Sequence, residues 1–420
     1  MESYTLKNVR IIDPSQKMDQ AGDIRLEEGK IAAVGAGLPE AGQVIDCQGL
    51  AAAPGLVDMH VHLRDPGQTH KEDLFSACRA AVAGGVTSLL AMPNTSPAMD
   101  SPELVRELLA RARAADAAVY TSACVTKGLN GQVCGDFAAL REAGAIALSD
   151  DGRPVGDPRC LLAGLKAAQE LGMTFAAHCE VPELAQGGLM NEGETSRRLG
   201  VKGIPAAAED CGVAREIAAA ASIGAPVHIC HVSTRGAVAL IRDAKARGVR
   251  VTAETCPHYL LLTDSALESM DADFRMNPPL GSEADRQALI EGLADGTLDA
   301  ISTDHAPHTP EEKADFFTAP NGSIGMETSL AAVLTALGDR LSLLEIIRKM
   351  SSNPAKILGI PGGSLKVGSP ADLVVFDPER KWRVDPETLH GKSRNTPFKG
   401  MELRGKVLMT FCRGRKVFGQ

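Results

Sequence analysis

Asp58-Met59-His60-Val61-His62 carries the strongest chemical signal in this chain of 420 residues. Side chains alternate along a strand, so His60 and His62 lie on one face. Two imidazoles on one face suit a single metal ion. Three more residues of ligand type end short apolar runs further on: His178, His231 and Asp304. Together these donors suffice for one metal and nearly suffice for two. A metal pair needs a bridging anion, and Asp150-Asp151-Gly152 offers one. Spacing does not choose between the two aspartates. His228, three residues before His231, falls on the other face by alternation and reads as structural. Cys179 and Cys230 adjoin ligand histidines, and alternation turns both away from the metal.

These residues need elements that bring them together. Eight apolar runs read as strands: 55–62, 86–92, 117–125, 145–150, 173–178, 226–231, 249–254 and 299–304. Amphipathic stretches such as 102–114, 157–171 and 206–222 separate them and read as helices. Eight strand–helix units over roughly 300 residues fit an α/β fold of the (β/α)8 TIM barrel type, whose active site lies at the C-terminal strand ends. A doubly wound open sheet ranks lower, because no GxGxxG follows the first strand. Residues 1–54 and 356–420 show short strands and turns without helical period. They are expected to pair into one small β-sandwich around a barrel at 55–355.

Composition narrows the function. Net charge is −9, with the charges interspersed, and aromatics are 3%. No basic run or stacking surface points to nucleic acid or an anionic membrane. The polar start MESYTLKNVR does not read as a signal peptide, and no apolar run reaches transmembrane length. The cytoplasm is the expected compartment. The ten cysteines form no CxxC pair and are expected to be reduced, mostly buried thiols.

The segments DMHVHLRDPG, MPNT, SDDGRP, AHCE, CHVST, ETCPHYL, FRMNPPL and STDHAPHTPEEK occur in order over nearly the whole chain. This set closely resembles bacterial type I dihydroorotases of the amidohydrolase superfamily. The resemblance implies two zinc ions. His60 and His62 with Asp304 would hold one, and His178 with His231 the other. Asp151 would bridge them in place of the carboxylated lysine of many relatives, since AIALSDD has no lysine. It also implies that Arg64 binds a carboxylate, with Asn94, Asn277 and His308 as further substrate contacts alongside His62. The stretch Ala319-Pro320-Asn321-Gly322 matches a loop that covers the ring; Asn321 stands where relatives often carry an apolar residue. The loop 306–325 has the composition of a mobile lid.

The implied reaction is reversible hydrolysis of the cyclic amide of (S)-dihydroorotate to N-carbamoyl-L-aspartate, a step of pyrimidine biosynthesis. Asp304 would take a proton from the attacking water and return it to the ring nitrogen. A hydantoinase or allantoinase is the nearest rival; Arg64 and the missing lysine argue against both. Some related chains are non-catalytic scaffolds for aspartate carbamoyltransferase that have lost their metal ligands, whereas this one keeps all six. The family also suggests a homodimer.

Overall fold

The computed structural model describes residues 3–419. Met1, Glu2 and Gln420, which end the two expected terminal pieces, lie outside the described residues.

All eight expected runs form strands: Leu56–Val61, Val86–Ala91, Ala118–Ala123, Ala147–Leu148, Thr174–Ala177, Val227–Ile229, Val251–Thr255 and Ala300–Ile301. They pair in parallel and in chain order. Contacts between the first and last strands close the ring. Val61 bridges to His305, and His62 N donates to His305 O at 2.8 Å. Asp58 accepts from Thr303 N at 3.0 Å and from the Thr303 hydroxyl at 2.5 Å. Helices cover the outside, so the strands are buried on both faces and need no polar alternation. The first two strands are buried at every position.

The expected helices span Pro102–Ala112, Pro158–Leu171 and Ala207–Ile223. Pro158–Leu171 follows the strand-four loop and starts sharply. Asp157 caps it by accepting from Arg159 N, and Pro158 occupies the first turn.

Both chain ends join one eight-stranded sheet, in which Tyr4–Asp13 pairs with Ala51–Pro54 and that strand pairs with Leu373–Arg383. The sheet curls over. Tyr4 and Phe411 sit on strands three places apart, yet their rings are 5.1 Å apart. Ile31 N donates to Ser369 O, and Ala371 N to Gly29 O, each at 2.9 Å. Alternation then makes two cores. Ala52, Leu373 and Val375 pack inside the curl. Ala51, Ala53, Val374 and Phe376 pack against the barrel.

One expectation needs correction. Cys134 and Cys160 form a disulfide across a separation of 26 residues; the other eight cysteines are free, seven of them buried. The segment after the third strand folds back onto the start of helix Pro158–Leu171, and only the fold brings the two sulfurs together. Among the described residues, no helix is long and apolar enough to cross a membrane.

Candidate active site

The strand ends bring all six candidate ligands together. His60 and His62 are buried, with ring centroids 5.3 Å apart. His60 Nε2 lies 3.2 Å from Asp151 Oδ1 and 3.6 Å from Asp304 Oδ1. His62 Nε2 lies 3.0 Å from Asp304 Oδ1 and 3.6 Å from Asp151 Oδ2. On the other side, His178 Nδ1 and His231 Nε2 face each other at 2.9 Å. Each is 3.6 Å from Asp151 Oδ1. Two donor clusters result, His60–His62–Asp151 and Asp151–His178–His231, and they share Asp151.

The neighbouring aspartate is used differently. Asp150 accepts from Val125 N at 2.8 Å and Thr126 N at 3.0 Å, and from the Thr126 hydroxyl. Its carboxylate therefore holds the loop after strand three. Asp151 keeps Oδ1 buried without a hydrogen-bond partner.

Hydrogen bonds orient the rings. His62 Nδ1 lies 2.8 Å from Asn94 Oδ1, which points Nε2 into the cluster. His60 Nδ1 faces Glu254 Oε1 at 3.4 Å. Electrostatics agree. Burial drives the Asp304 carboxyl upward, but His62, His60 and His231 outweigh it and hold it at about 2. The Asp151 carboxyl is likewise driven up by burial and pulled well below its usual range by His60, His231 and His62. His60 is held well above the usual imidazole value, where Asp151 overcomes burial. The cluster favours positive charge at its centre. His60 Nδ1 and Nε2, Asp151 Oδ1 and His178 Nε2 are all buried without hydrogen-bond partners. The orphaned His60 Nε2 and Asp151 Oδ1, 3.2 Å apart at the centre of the two donor groups, fit a metal cofactor.

Alternation failed at one cysteine. Cys230 does not turn away; its sulfur clusters with His60 and Glu254. The strand ends at Ile229, and His231 adopts φ +38°. That backbone break lets residues 230 and 231 both face inward. Burial pushes the Cys230 thiol up to about 12, so it stays protonated. Cys179 joins none of these clusters among the described residues. His228 lies beneath the site, with Nε2 3.4 Å from Glu254 Oε2. Glu254 was missed from sequence, although it too is a polar residue at a strand end.

Arg64 and Asp304 share the left-handed backbone of His231, at φ +58° and +50°. Non-glycine residues rarely adopt it, and strain of this kind concentrates at functional sites.

A cavity of about 210 Å³ lies above the cluster, lined by Asp151, His178, His231 and Asp304. Arg64, Asn277, Asn321 and Gly322 line it too, with His62 and Asn94. Arg64 is 9% exposed, and its Nε donates to Pro307 O at 3.2 Å. Burial lowers its pKa to about 10, while Asp304 and Asp151 oppose the fall, so it remains a cation at neutral pH. Asn94 also donates to Asp151 Oδ2 at 3.2 Å, and Asn277 donates to Glu180 Oε1 at 2.9 Å. His308 stands behind Arg64 rather than in the cavity wall. Its Nε2 lies 2.9 Å from Asn321 O and 3.3 Å from Arg64 Nη2. Burial and the charges of Arg64, Lys71 and Lys313 hold the ring neutral. The Asn321 side chain accepts from Arg275 Nη2 at 3.2 Å, which accounts for a polar residue at that place. Asn277 and Asn321 also line an outer pocket of about 490 Å³.

The model of the amidohydrolase family matches residues 51–417. A dihydroorotase of Syntrophus aciditrophicus (strain SB) is 49% identical over 419 residues, covering 98% of each chain. A dihydroorotase of Geobacter sp. (strain M21) is 47% identical over 418 residues, again 98% of each. Among solved structures, the L-hydantoinase (dihydropyrimidinase) from Arthrobacter aurescens superposes with a TM-score of 0.88 at 26% identity, over 100% of this chain and 96% of that one. With this match, these relatives and two donor clusters sharing one carboxylate, the chain belongs to the amidohydrolase family.

Proposed function

We propose that the chain opens the ring of (S)-dihydroorotate to N-carbamoyl-L-aspartate, and closes it in the biosynthetic direction of de novo pyrimidine (UMP) synthesis. One observation carries this reading. A buried, charged arginine and two donor groups that share one carboxylate line the same cavity of ring size. The relatives named dihydroorotase support the same substrate.

In this reading His60, His62 and Asp304 would hold one zinc ion and His178 and His231 a second, with Asp151 shared between the two sets. When bound, such a pair supplies Lewis acidity to the ring carbonyl and a lowered pKa to the attacking water. The chain's residues do the rest. Asp304, ionised and 3.0 Å from His62 Nε2, accepts the proton of the water and returns it to the departing ring nitrogen. Arg64 clamps the exocyclic carboxylate in bidentate fashion. Asn94 and Asn277 fix the ring edges, His62 bounds it on the metal side, and Asn321 and Gly322 present backbone groups above it. His308 keeps Asn321 in place from behind.

A hydantoinase shares the fold, but an uncharged ring has no use for Arg64. The proposal also divides the chain into a barrel at 55–355 supported by residues 1–54 and 356–420. It places the protein in the cytoplasm as a homodimer, with aspartate carbamoyltransferase as a partner; the last two rest on the resemblance alone. The test is ring opening of dihydroorotate against hydantoin and allantoin, with metal content per chain. Turnover of dihydroorotate with two metals supports the reading. Preference for an uncharged ring refutes it.

A further inference from the structure

Asn395 lies outside the barrel strands, in the segment leading to the last long strand, and does not line the cavity. It is 4% exposed. Its carboxamide is nevertheless spent entirely on the loop that closes the cavity. Oδ1 accepts from His308 N at 3.2 Å. Nδ2 donates to Gly322 O at 3.1 Å and to Ala306 O at 3.3 Å. The Asn395 main-chain carbonyl accepts from Ile324 N at 3.1 Å. One side chain thus ties the outgoing limb, 306–308, to the returning limb at 322.

The place it holds is tightly specified. Gly322 has φ +133°, and a Cβ there would stand 2.7 Å from Ala306 Cβ and 3.1 Å from His308 Nε2. Gly322 O also accepts from Lys313 Nζ at 2.9 Å, and Gly322 N donates to Arg275 O at 2.9 Å. Both limbs must therefore stay in contact for Gly322 to face the cavity. Pro307, between the Asn395 contacts, carries the carbonyl that orients Arg64. Moving the outgoing limb would move the guanidinium.

We infer that Asn395 is a positioning residue for substrate recognition: through its carboxamide, the C-terminal segment sets the spacing between Gly322, His308 and Arg64. The inference rests on the proposed function, because it needs Gly322 and Arg64 to meet the substrate, with His308 behind them. It assigns Asn395 no part in holding metal or moving protons. Its loss should weaken substrate capture while leaving the chemical step largely intact, since effects on uniform binding appear in KM.

The test compares Asn395→Ala with Ser393→Ala in the metal-loaded full chain. Ser393 lies in the same segment and its hydroxyl donates to Lys71 O at 2.8 Å instead of to the two limbs, so its loss is the control for damage to the segment. For Asn395→Ala, KM for dihydroorotate should rise roughly tenfold or more, since all three carboxamide hydrogen bonds to the loop are lost. Its kcat should stay within roughly threefold and its metal content should match the parent. For Ser393→Ala, KM should be unchanged. If Asn395→Ala does not melt cooperatively, Asn395→Ser, which keeps a hydroxyl in a smaller volume, replaces it with the same expectation. KM unchanged in the folded Asn395 variant overturns the inference. So does an equal rise in Ser393→Ala, or a kcat fall with loss of metal, which would mark general damage. A parent protein inactive on dihydroorotate removes the proposed function, and this inference with it; an active parent isolates the inference.

Discussion

At the strand ends, His60, His178 and Asp151 bury ring and carboxylate atoms that have no hydrogen-bond partner. Around the same cavity, His308, Asn321 and Gly322 have theirs engaged: His308 with Asn321 O, Asn321 with Arg275, Gly322 with Lys313, Arg275 and Asn395. The first half gathers unmet donors around a shared carboxylate and is completed by a cation. The second is completed by the chain itself and needs no ligand to take shape. An amidase of this design can exchange the ring it accepts by changing loop residues without touching its donor cluster. The two halves should therefore fail differently: damage to one should appear in turnover and metal, damage to the other in KM.

Asp304→Asn is the sharpest test of the first half. It keeps shape but removes the proton acceptor. Turnover should fall about 100- to 10,000-fold, the usual span for a general base, with KM changed far less. Measuring kcat at saturating metal and substrate checks it. Retained turnover would move the base elsewhere in the cluster.

Reduction of the Cys134–Cys160 bridge tests whether the support of the first half is separate from its chemistry. The bridge closes 26 residues around the loop that Asp150 holds. Loop-closure entropy puts its contribution at about 3 kcal/mol. Mild reduction should lower the melting temperature while KM and metal content stay put. A parallel loss of metal would show that the Asp151 turn depends on the bridge.

That bridge also shows where sequence reading stops. The donor cluster was legible because it follows from strand period and strand ends: His60 and His62 two apart, His178, His231 and Asp304 at the last positions of apolar runs. Rules of that kind need only local residues. They failed at Cys230 because the φ of His231 leaves the strand, and no residue type announces that. Spacing could not choose Asp151 over Asp150; the resemblance did, and the physical reason is the bonds of Val125 and Thr126 to Asp150, from 25 and 24 residues away. The other half was legible only through resemblance. Its contacts run between His308 and Asn395, 87 residues apart, and between Arg64 and Pro307, 243 apart. No periodicity spans such distances. The 306–325 loop looked like a lid by composition, but Lys313, Arg275 and Asn395 tie it down.

Beneath the His231 strand end, Glu209 accepts from Ser233 N at 2.9 Å and Thr234 N at 3.3 Å, and from the Ser233 hydroxyl. Burial raises its pKa from 4.5 to about 7, against the pull of these donors. The folded chain therefore binds a proton that the unfolded chain has released. This contribution is full below pH 4.5, falls as pH rises, and is gone above about pH 7. The shift corresponds to about 3 kcal/mol. Glu209→Gln, which cannot ionise, should flatten the stability profile over that window. Denaturant titrations of both proteins at several pH values check it. Parallel profiles would assign the pH dependence to other groups.

Arg64→Met should produce the smallest of these effects and bear most directly on substrate identity. The guanidinium touches the protein at two points, Nε to Pro307 O at 3.2 Å and Nη2 to His308 Nε2 at 3.3 Å, and lines the cavity. Hydrogen bonds to a charged partner contribute roughly 1.5–3 kcal/mol, so KM for dihydroorotate should rise about 10- to 100-fold. The Pro307 and His308 contacts are also lost, but that loss weakens the site for every ring alike. The comparison with hydantoin separates the two causes, because an uncharged ring gains nothing from the guanidinium. If the arginine reads a carboxylate, the penalty falls on dihydroorotate alone and metal content is unchanged. If KM rises equally for both rings, Arg64 merely props the 306–308 limb, and the carboxylate must be read by another residue of the loop half.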